Sequence, residues 1–317
     1  KADGIIQSQY ARHIEVWGDR HAAIFLGPER TARMDPAGSC VRLGMPFSLH
    51  VDTPVLPVTA LGSMHAAVNR ISDGGVLFGG DQRITPQQQI DFSRRFGILQ
   101  IHVLKQFLLT GHPEILIVSN IIENGQSIGL GDAGKFWHSD LSYKELPSLG
   151  SMLHAQELPS EGGDTLFADM HKAWDQLPEH LRTAVEGRSA AHSYTARYSE
   201  TKFEGNWRPT LTPEQLAQVA EVIHPVVRTH PENGRKALFV SEGFTTRIVG
   251  LPDDESRDVL QQLYALSVLE QNIYRHQWQP HDLVFWDNRS LIHLAAGCPS
   301  HLRRKLFRTT IQGDAPF

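Results

Sequence analysis

Two histidines and an aspartate carry the first chemical signal. His138 and Asp140 lie two positions apart in Phe136-Trp137-His138-Ser139-Asp140, and His293 sits far downstream in an apolar run after Trp286-Asp287-Asn288-Arg289. Flanking aromatics favour extended chain, where residues two apart point to one face, so His138 and Asp140 are expected to share one ion. Two imidazoles and one carboxylate leave three coordination positions open, an arrangement suited to Fe(II) oxygen chemistry. Zinc is the competing metal, although the His-Glu-x-x-His pattern of zinc peptidases is absent. A His-x-Asp pair alone is also common as a surface pair, and a lone histidine in an apolar run is commonly a hydrogen-bonded core residue.

Arginines supply a second line. Arg304, Leu306 and Arg308 alternate along one side of an expected strand, with Phe307 and Ile311 on the other. Packing both faces would bury the guanidinium groups, which is costly unless anions pair with them, and their planar fork matches a carboxylate or sulfonate. Two anions are implied. The competing reading is an exposed basic cluster at Arg303-Arg304-Lys305 with Arg308 salt-bridged on the surface.

Two other motifs match by letter but lack context. Gly129-Leu130-Gly131-Asp132-Ala133-Gly134 has the dinucleotide-binding spacing, yet aromatic residues follow where a helix must open. Gly125-Gln126-Ser127-Ile128-Gly129 matches the nucleophile elbow of serine hydrolases, making Ser127 the rival nucleophile, but three glycines in the next seven positions oppose the required helix.

The elements that would position these residues are mostly short strands. Strands are expected at Gly75–Gly79, Leu99–Leu104, Glu114–Asn120, Lys135–Tyr143, Ser151–Glu157, Thr165–Ala168, Lys236–Val240, Asp282–Trp286, Leu291–Leu294 and Lys305–Gln312, punctuated by Gly, Pro and Asn. Helices are expected at Met64–Ile71, Met170–Glu186, Thr212–Val222 and Glu255–Glu270, and one starts at Thr85-Pro86-Gln87-Gln88, where Thr85 and Gln88 form a capping box and Gly97 is the stop. The fold class is therefore mainly β with outer helices, a double-stranded β-helix or jelly roll. Residues 1–63 show no sustained period and form an N-terminal segment of unassigned role, with the domain proper expected over 64–317.

Composition narrows the partners. The chain has 317 residues, 40% of them hydrophobic and 21% charged, enough to bury a large core. A formal charge of −5 offers no global attraction to nucleic acid or to an anionic membrane. Only Cys40 and Cys298 are present, and neither a membrane-length apolar run nor a signal-peptide pattern is found, so a reducing cytoplasm is expected. The partners expected are a small anionic organic substrate and further copies of the chain, with no nucleic acid and no membrane.

From about residue 64 to the end, the sequence resembles the taurine and 2,4-dichlorophenoxyacetate dioxygenase family. The resemblance rests on Ile84-Thr85-Pro86-Gln87-Gln88-Gln89, Phe136-Trp137-His138-Ser139-Asp140, Gly162-Gly163-Asp164-Thr165-Leu166, Glu242-Gly243-Phe244-Thr245-Thr246-Arg247-Ile248 and Trp286-Asp287-Asn288-Arg289 leading to His293 and Arg304. It implies a jelly roll in which His138, Asp140 and His293 bind Fe(II), Thr165 and Arg304 hold the far carboxylate of the cosubstrate 2-oxoglutarate, and dioxygen is the oxidant. Within the taurine branch it assigns Arg308, His102 and Phe244 to the primary substrate, which would be hydroxylated, with C–S or C–O cleavage where the hydroxylated carbon bears the heteroatom. The sequence departs from that branch at Lys105, Gly134 and Arg197, where the branch carries tyrosine, asparagine and serine. Lys105 and Arg197 would add positive charge near the substrate, disfavouring taurine's ammonium and favouring a sulfonate, sulfate ester or carboxylate of other shape. A metal-binding jelly roll without catalysis is the non-enzyme alternative.

Overall fold

The computed structural model describes residues 7–9, 47–49, 82–131, 133–195 and 211–317. The expected helix Met64–Ile71, the strand Gly75–Gly79 and Arg197 lie outside the described residues.

Seven strands build the scaffold: β1 (His112–Ser119), β2 (Ser148–Glu157), β3 (Thr165–Asp169), β4 (Ile273–His276), β5 (Leu283–Asp287), β6 (Leu291–Ala295) and β7 (Lys305–Gln312). A larger antiparallel sheet has the order β5-β2-β7-β1, with Leu108–Leu109 at the edge beside β1, and a smaller one has the order β4-β3-β6. The sheets face each other across a shared apolar layer, in which Leu116, Leu153 and Leu306 of the larger sheet meet Phe167 of the smaller one and Val284 and Trp286 of β5. This is the expected jelly-roll sandwich.

Alternation along β7 explains how one strand serves two layers. Leu306 joins the inner layer, whereas Phe307 and Ile311 join clusters on the outer face of the same sheet. Helix α1 (Pro86–Ser93) covers that outer face: Ile90 packs with Phe307, Gln89 Nε2 donates to the Phe307 carbonyl at 3.1 Å, and Ser93 Oγ lies 2.7 Å from Thr309 Oγ1. Its start is the expected capping box, with Thr85 Oγ1 accepting from Gln88 N and Gln88 Oε1 accepting from Thr85 N. Helices α2 (Met170–Asp175), α3 (Glu179–Val185) and α4 (Asp253–Ser267) cover the smaller sheet, packing on its outward Ala168 and Ile292. No described helix is long and apolar enough to cross a membrane.

Four expected elements differ. The single helix over Met170–Glu186 is two helices, because Pro178 lacks the N–H that would continue α2 and instead caps α3. The helix from Thr212 keeps its capping box but ends at Ala217, since Val222–Pro225 is drawn into pairing with Ser189–His192. Leu99–Leu104 forms only an isolated bridge from Leu99 to Ile311, and His102 Nδ1 accepts from Leu104 N, turning the chain away from the sheet edge. Lys135–Tyr143 is not a strand: His138 makes one isolated bridge to His293, and the chain turns at Asp140–Tyr143 with Leu141 at φ +58°.

Gly150 of β2 sits where β5 crosses closely: an added Cβ would lie 2.5 Å from the Trp286 carbonyl oxygen and 2.6 Å from Phe285 Cε2. Both neighbours are buried in the sheet, so neither gives way cheaply. Gly150→Ala is expected to cost about 1–3 kcal/mol of stability by overpacking, read from urea unfolding. A midpoint equal to that of the unaltered protein would show that β5 yields without cost.

Candidate metal centre

The two histidines meet through the backbone. His138 N donates to the His293 carbonyl at 3.1 Å and His293 N donates to the His138 carbonyl at 2.8 Å, which ties the loop before Asp140 to β6. The ring centroids are then 4.1 Å apart. On β6, His293 shares its face with Phe167 of β3, its cross-strand partner, and that face looks into the sandwich.

His138 Nδ1 lies 2.8 Å from the Phe136 carbonyl oxygen, which fixes the proton on Nδ1 and leaves the Nε2 lone pair for a metal. Nε2 of His138 is 3.6 Å from Asp140 Oδ1, and Nε2 of His293 is 3.9 Å from Asp140 Oδ2. All three ligand atoms fall within 4.8 Å of one another, and all three residues are buried. Two donors on a common ion at about 2.1 Å each stand no more than ~4.2 Å apart, so the two measured separations fit one ion between them. The expected convergence holds, although it comes from a bridge followed by a turn and not from one strand face.

Burial opposes the charge on Asp140, yet Arg308 and the two histidines outweigh it and hold the carboxyl well below its ordinary range. Burial, reinforced by His138 and Arg308 against Asp140, keeps His293 well below the usual imidazole range and therefore neutral, the form that binds metal. The carboxylate is also aimed: Ser151 Oγ donates to Oδ2 at 2.6 Å and Arg308 Nη1 donates to Oδ1 at 3.0 Å. Behind it, Asn288 accepts at Oδ1 from Asp140 N and from Trp286 Nε1, accepts at its carbonyl from Ser139 Oγ, and donates through Nδ2 to Ser148 Oγ. The residues after it are braced by a buried pair in which Arg289 donates twice to Asp287, which also receives His230 Nε2.

Arg304 lies at the start of β7, nine-tenths buried, and its Nε donates to the Gly163 carbonyl at 3.1 Å. Gly162 and Gly163 take φ of +70° and +80°, a left-handed turn that brings this carbonyl to Arg304 and delivers Thr165 to the head of β3. Among the described residues no carboxylate lies within ion-pair distance of Arg304, and burial pushes its guanidinium down to about 10 despite opposing pulls from Cys298 and Asp164. Thr165 Oγ1 accepts from Trp278 Nε1 at 3.0 Å, so its own O–H is the group left to donate. A buried guanidinium with no carboxylate among the described residues, bonded to the Gly163 turn that leads to the Thr165 hydroxyl, fits one carboxylate of a dicarboxylate such as 2-oxoglutarate.

Arg308 and His102 line one narrow cavity with Gln100, Leu116, Tyr143 and Lys144, and Phe244 meets the His138 ring edge-on at 5.8 Å. Arg308 Nε is buried without a hydrogen-bond partner. Lys105 does not join them: its side chain is exposed on the 3-10 turn Lys105–Phe107, because the chain turns outward after His102. The lysine on the cavity wall is Lys144, which has no counterpart in the motifs. Ser127 lies in a hairpin with Ile122–Glu123, its Oγ donating to the Gly129 carbonyl at 2.6 Å, so it has neither the helix nor the base of a hydrolase nucleophile. Ser151 and Asn288 were not singled out by type or spacing; Asn288 stands inside the Trp286–Arg289 run, and that run is the signal that could have found it.

Ser151→Ala removes one of the two donors that aim the Asp140 carboxylate, and is expected to weaken divalent-metal binding roughly 10–100-fold without unfolding the protein. Mn(II) titration checks it; unchanged affinity would show that Arg308 alone orients Asp140.

The sequence profile described as Taurine catabolism dioxygenase TauD, TfdA family matches residues 53–310. Pentalenolactone F synthase of Streptomyces avermitilis is 35% identical over 258 residues, spanning 76% of this chain and 82% of that protein. The alpha-ketoglutarate-dependent 2,4-dichlorophenoxyacetate dioxygenase of Cupriavidus pinatubonensis is 34% identical, spanning 81% of this chain and 91% of that one. Among solved structures, a taurine dioxygenase from Burkholderia xenovorans superposes with a TM-score of 0.60 at 30% identity over 74% of this chain and 75% of that one. AAD-2 in complex with Mn(II) and N-oxalylglycine superposes with a TM-score of 0.63 at 27% identity, over 82% and 92%. With that profile match over most of its length and relatives above 30% identity, the chain belongs to the taurine catabolism dioxygenase TauD, TfdA family of Fe(II)- and 2-oxoglutarate-dependent dioxygenases.

Proposed function

We propose that this dioxygenase hydroxylates a small anionic organic acid, with His138, Asp140 and His293 holding Fe(II), Thr165 and Arg304 holding the far carboxylate of 2-oxoglutarate, and His102, Phe244 and Arg308 facing the substrate. The observation that carries the reading is the pair of buried guanidinium groups on one face of β7 beside the ligand triad: Arg304 without a carboxylate partner, and Arg308 with an orphaned Nε. A buried cation without a carboxylate is costly, as is a buried N–H without an acceptor, and an incoming acid would offset the first at Arg304 and the second at Arg308. Fe(II) with 2-oxoglutarate and dioxygen supplies an oxidant that replaces C–H by C–OH, with succinate and carbon dioxide as co-products.

The chain's own part is orientation. Arg304, held at its backbone N–H by Asn120 and at Nε by Gly163, offers its remaining guanidinium N–H groups to the cosubstrate. Arg308 spends Nη1 on Asp140 and keeps Nε for the substrate, so substrate and metal ligand are registered through one side chain. Phe244, buried edge-on to Tyr143 and His138 and stacked on Tyr194, gives the side of the centre at His138 an apolar wall. Relatives whose names specify 2,4-dichlorophenoxyacetate and (S)-phenoxypropionate support an acid as the substrate class.

Succinate release in the presence of Fe(II), 2-oxoglutarate and dioxygen, screened across sulfonates, sulfate esters and aryloxy acids, tests the class; stimulation by neutral compounds alone would overturn the acid assignment. Arg304→Ala is expected to raise the apparent KM for 2-oxoglutarate at least about tenfold, the loss of a charge-assisted contact of roughly 1.5–3 kcal/mol. An unchanged value, with only the primary substrate affected, would show that Arg304 and Arg308 exchange roles.

A further inference from the structure

Lys144 is the cation of the substrate cavity that the motifs do not account for. It lies on the turn that begins at Asp140, four positions on, and its backbone is fixed at both ends: Lys144 N donates to the Leu141 carbonyl at 2.9 Å and its carbonyl accepts from His224 Nε2 at 2.8 Å. The side chain is half-buried and lines the cavity shared by Arg308, His102 and Tyr143. Its Nζ reaches one amide oxygen, Gln100 Oε1, at 3.4 Å, long for a hydrogen bond from an ammonium.

Glu114 lines the same cavity, but its Oε1 pairs with Arg94 at 2.5 Å, and among the described residues no acidic oxygen lies within ion-pair distance of Lys144. Burial draws the ammonium below its ordinary range. Arg308, by contrast, already gives one N–H to Asp140. The cavity between them is narrow, about 10 Å³, room for about one water molecule, so an oxygen of an acidic head group can enter it while the body of a substrate stays outside.

Resting on the acid-substrate reading above, we propose that Lys144 is a specificity-determining residue whose ammonium receives the acidic head of the substrate together with Arg308. The ammonium has three donors and the guanidinium keeps its Nε, a set that suits a carboxylate or sulfonate and is wasted on a neutral amide. The competing role is packing, with the four-carbon stem covering Leu141 and Tyr143 while the ammonium reaches toward water. Lys144→Met keeps the stem and removes the charge, which separates the two.

The experiment is anaerobic calorimetry on protein loaded with Fe(II) and 2-oxoglutarate, using phenoxyacetate, propane-1-sulfonate and the neutral phenoxyacetamide as probes. The unaltered protein is expected to bind an acid probe over the amide. Lys144→Met should weaken the acid probes roughly tenfold or more and leave phenoxyacetamide and 2-oxoglutarate within about twofold, and Lys144→Arg should restore most of the acid affinity. Equal weakening of acid and amide, or no change in either, overturns the assignment of Lys144 alone. If the unaltered protein binds neither acid probe while binding the amide, the acid-substrate reading falls with it.

Discussion

A buried carboxylate is the constraint on which the centre of this molecule depends. Asp140 has almost no contact with water, and an isolated charge there would protonate or unfold its surroundings. It stays ionised because Arg308 and Ser151 donate to its two oxygens, while the two imidazoles stand beside them, the four groups coming from three separate strands and the loop that carries the aspartate. Each of these is in turn held by the sandwich: Ser151 by β2, Arg308 by β7, His293 by β6. The two facing sheets therefore do more than bury apolar area; they bring two donors to within hydrogen-bond distance of one carboxylate and two imidazole nitrogens to within 4 Å of it. A cation between Asp140 and the two Nε2 atoms completes that arrangement, since it adds positive charge where the imidazoles offer only lone pairs.

Strand β7 shows how ordinary packing rules place the chemistry. Its outward Phe307, Thr309 and Ile311 are locked by α1, through the contacts of Ile90, Gln89 and Ser93, and period two then commits Arg304, Leu306, Arg308 and Thr310 to the interior. A register slip of one residue would put Phe307 in the place of Leu306 or Arg308 and both Arg304 and Arg308 on the face under the helix. The capping box at Thr85, a surface detail, thus contributes to the aim of groups on the far side of the sheet.

Much of this was legible in the sequence because it follows from alternation and capping. The faces of β7, the start of α1 and the triad His138, Asp140 and His293 are all read from local patterns. The route by which His138 and Asp140 meet was not: aromatic neighbours suggested a strand, whereas two backbone hydrogen bonds to His293 and a left-handed Leu141 produce a bridge and a turn. That pairing is non-local, and no local propensity reports it. The same limit applies to charge in the pocket. Lys105 was placed by its spacing from His102, but the chain leaves the sheet edge there and the side chain points to solvent, while Lys144 reaches the cavity from the Asp140 turn. Ser151 is invisible to motif reading for a further reason, since a serine gains its role only from what it faces, and Asn288 is marked only by the Trp286–Arg289 run that contains it.

The groups that sequence logic would reject from a stable core are those that define the site. Among the described residues Arg304 has no carboxylate partner, Arg308 Nε and His293 Nδ1 are buried without hydrogen bonds, and Lys144 Nζ has one long contact. A core chosen for stability alone would replace such residues by apolar ones of similar volume. Arg308 on β7 and Lys144 on the adjoining turn line one narrow cavity, and Arg304 stands at the start of the same strand face. The cost is borne by the unliganded protein and recovered on binding, so ligand affinity and the stability of the liganded fold draw on the same contacts. The jelly roll tolerates this because its two outer faces are sealed by separate helices and apolar clusters, which keep the sheets in register whether or not the interior charges are matched.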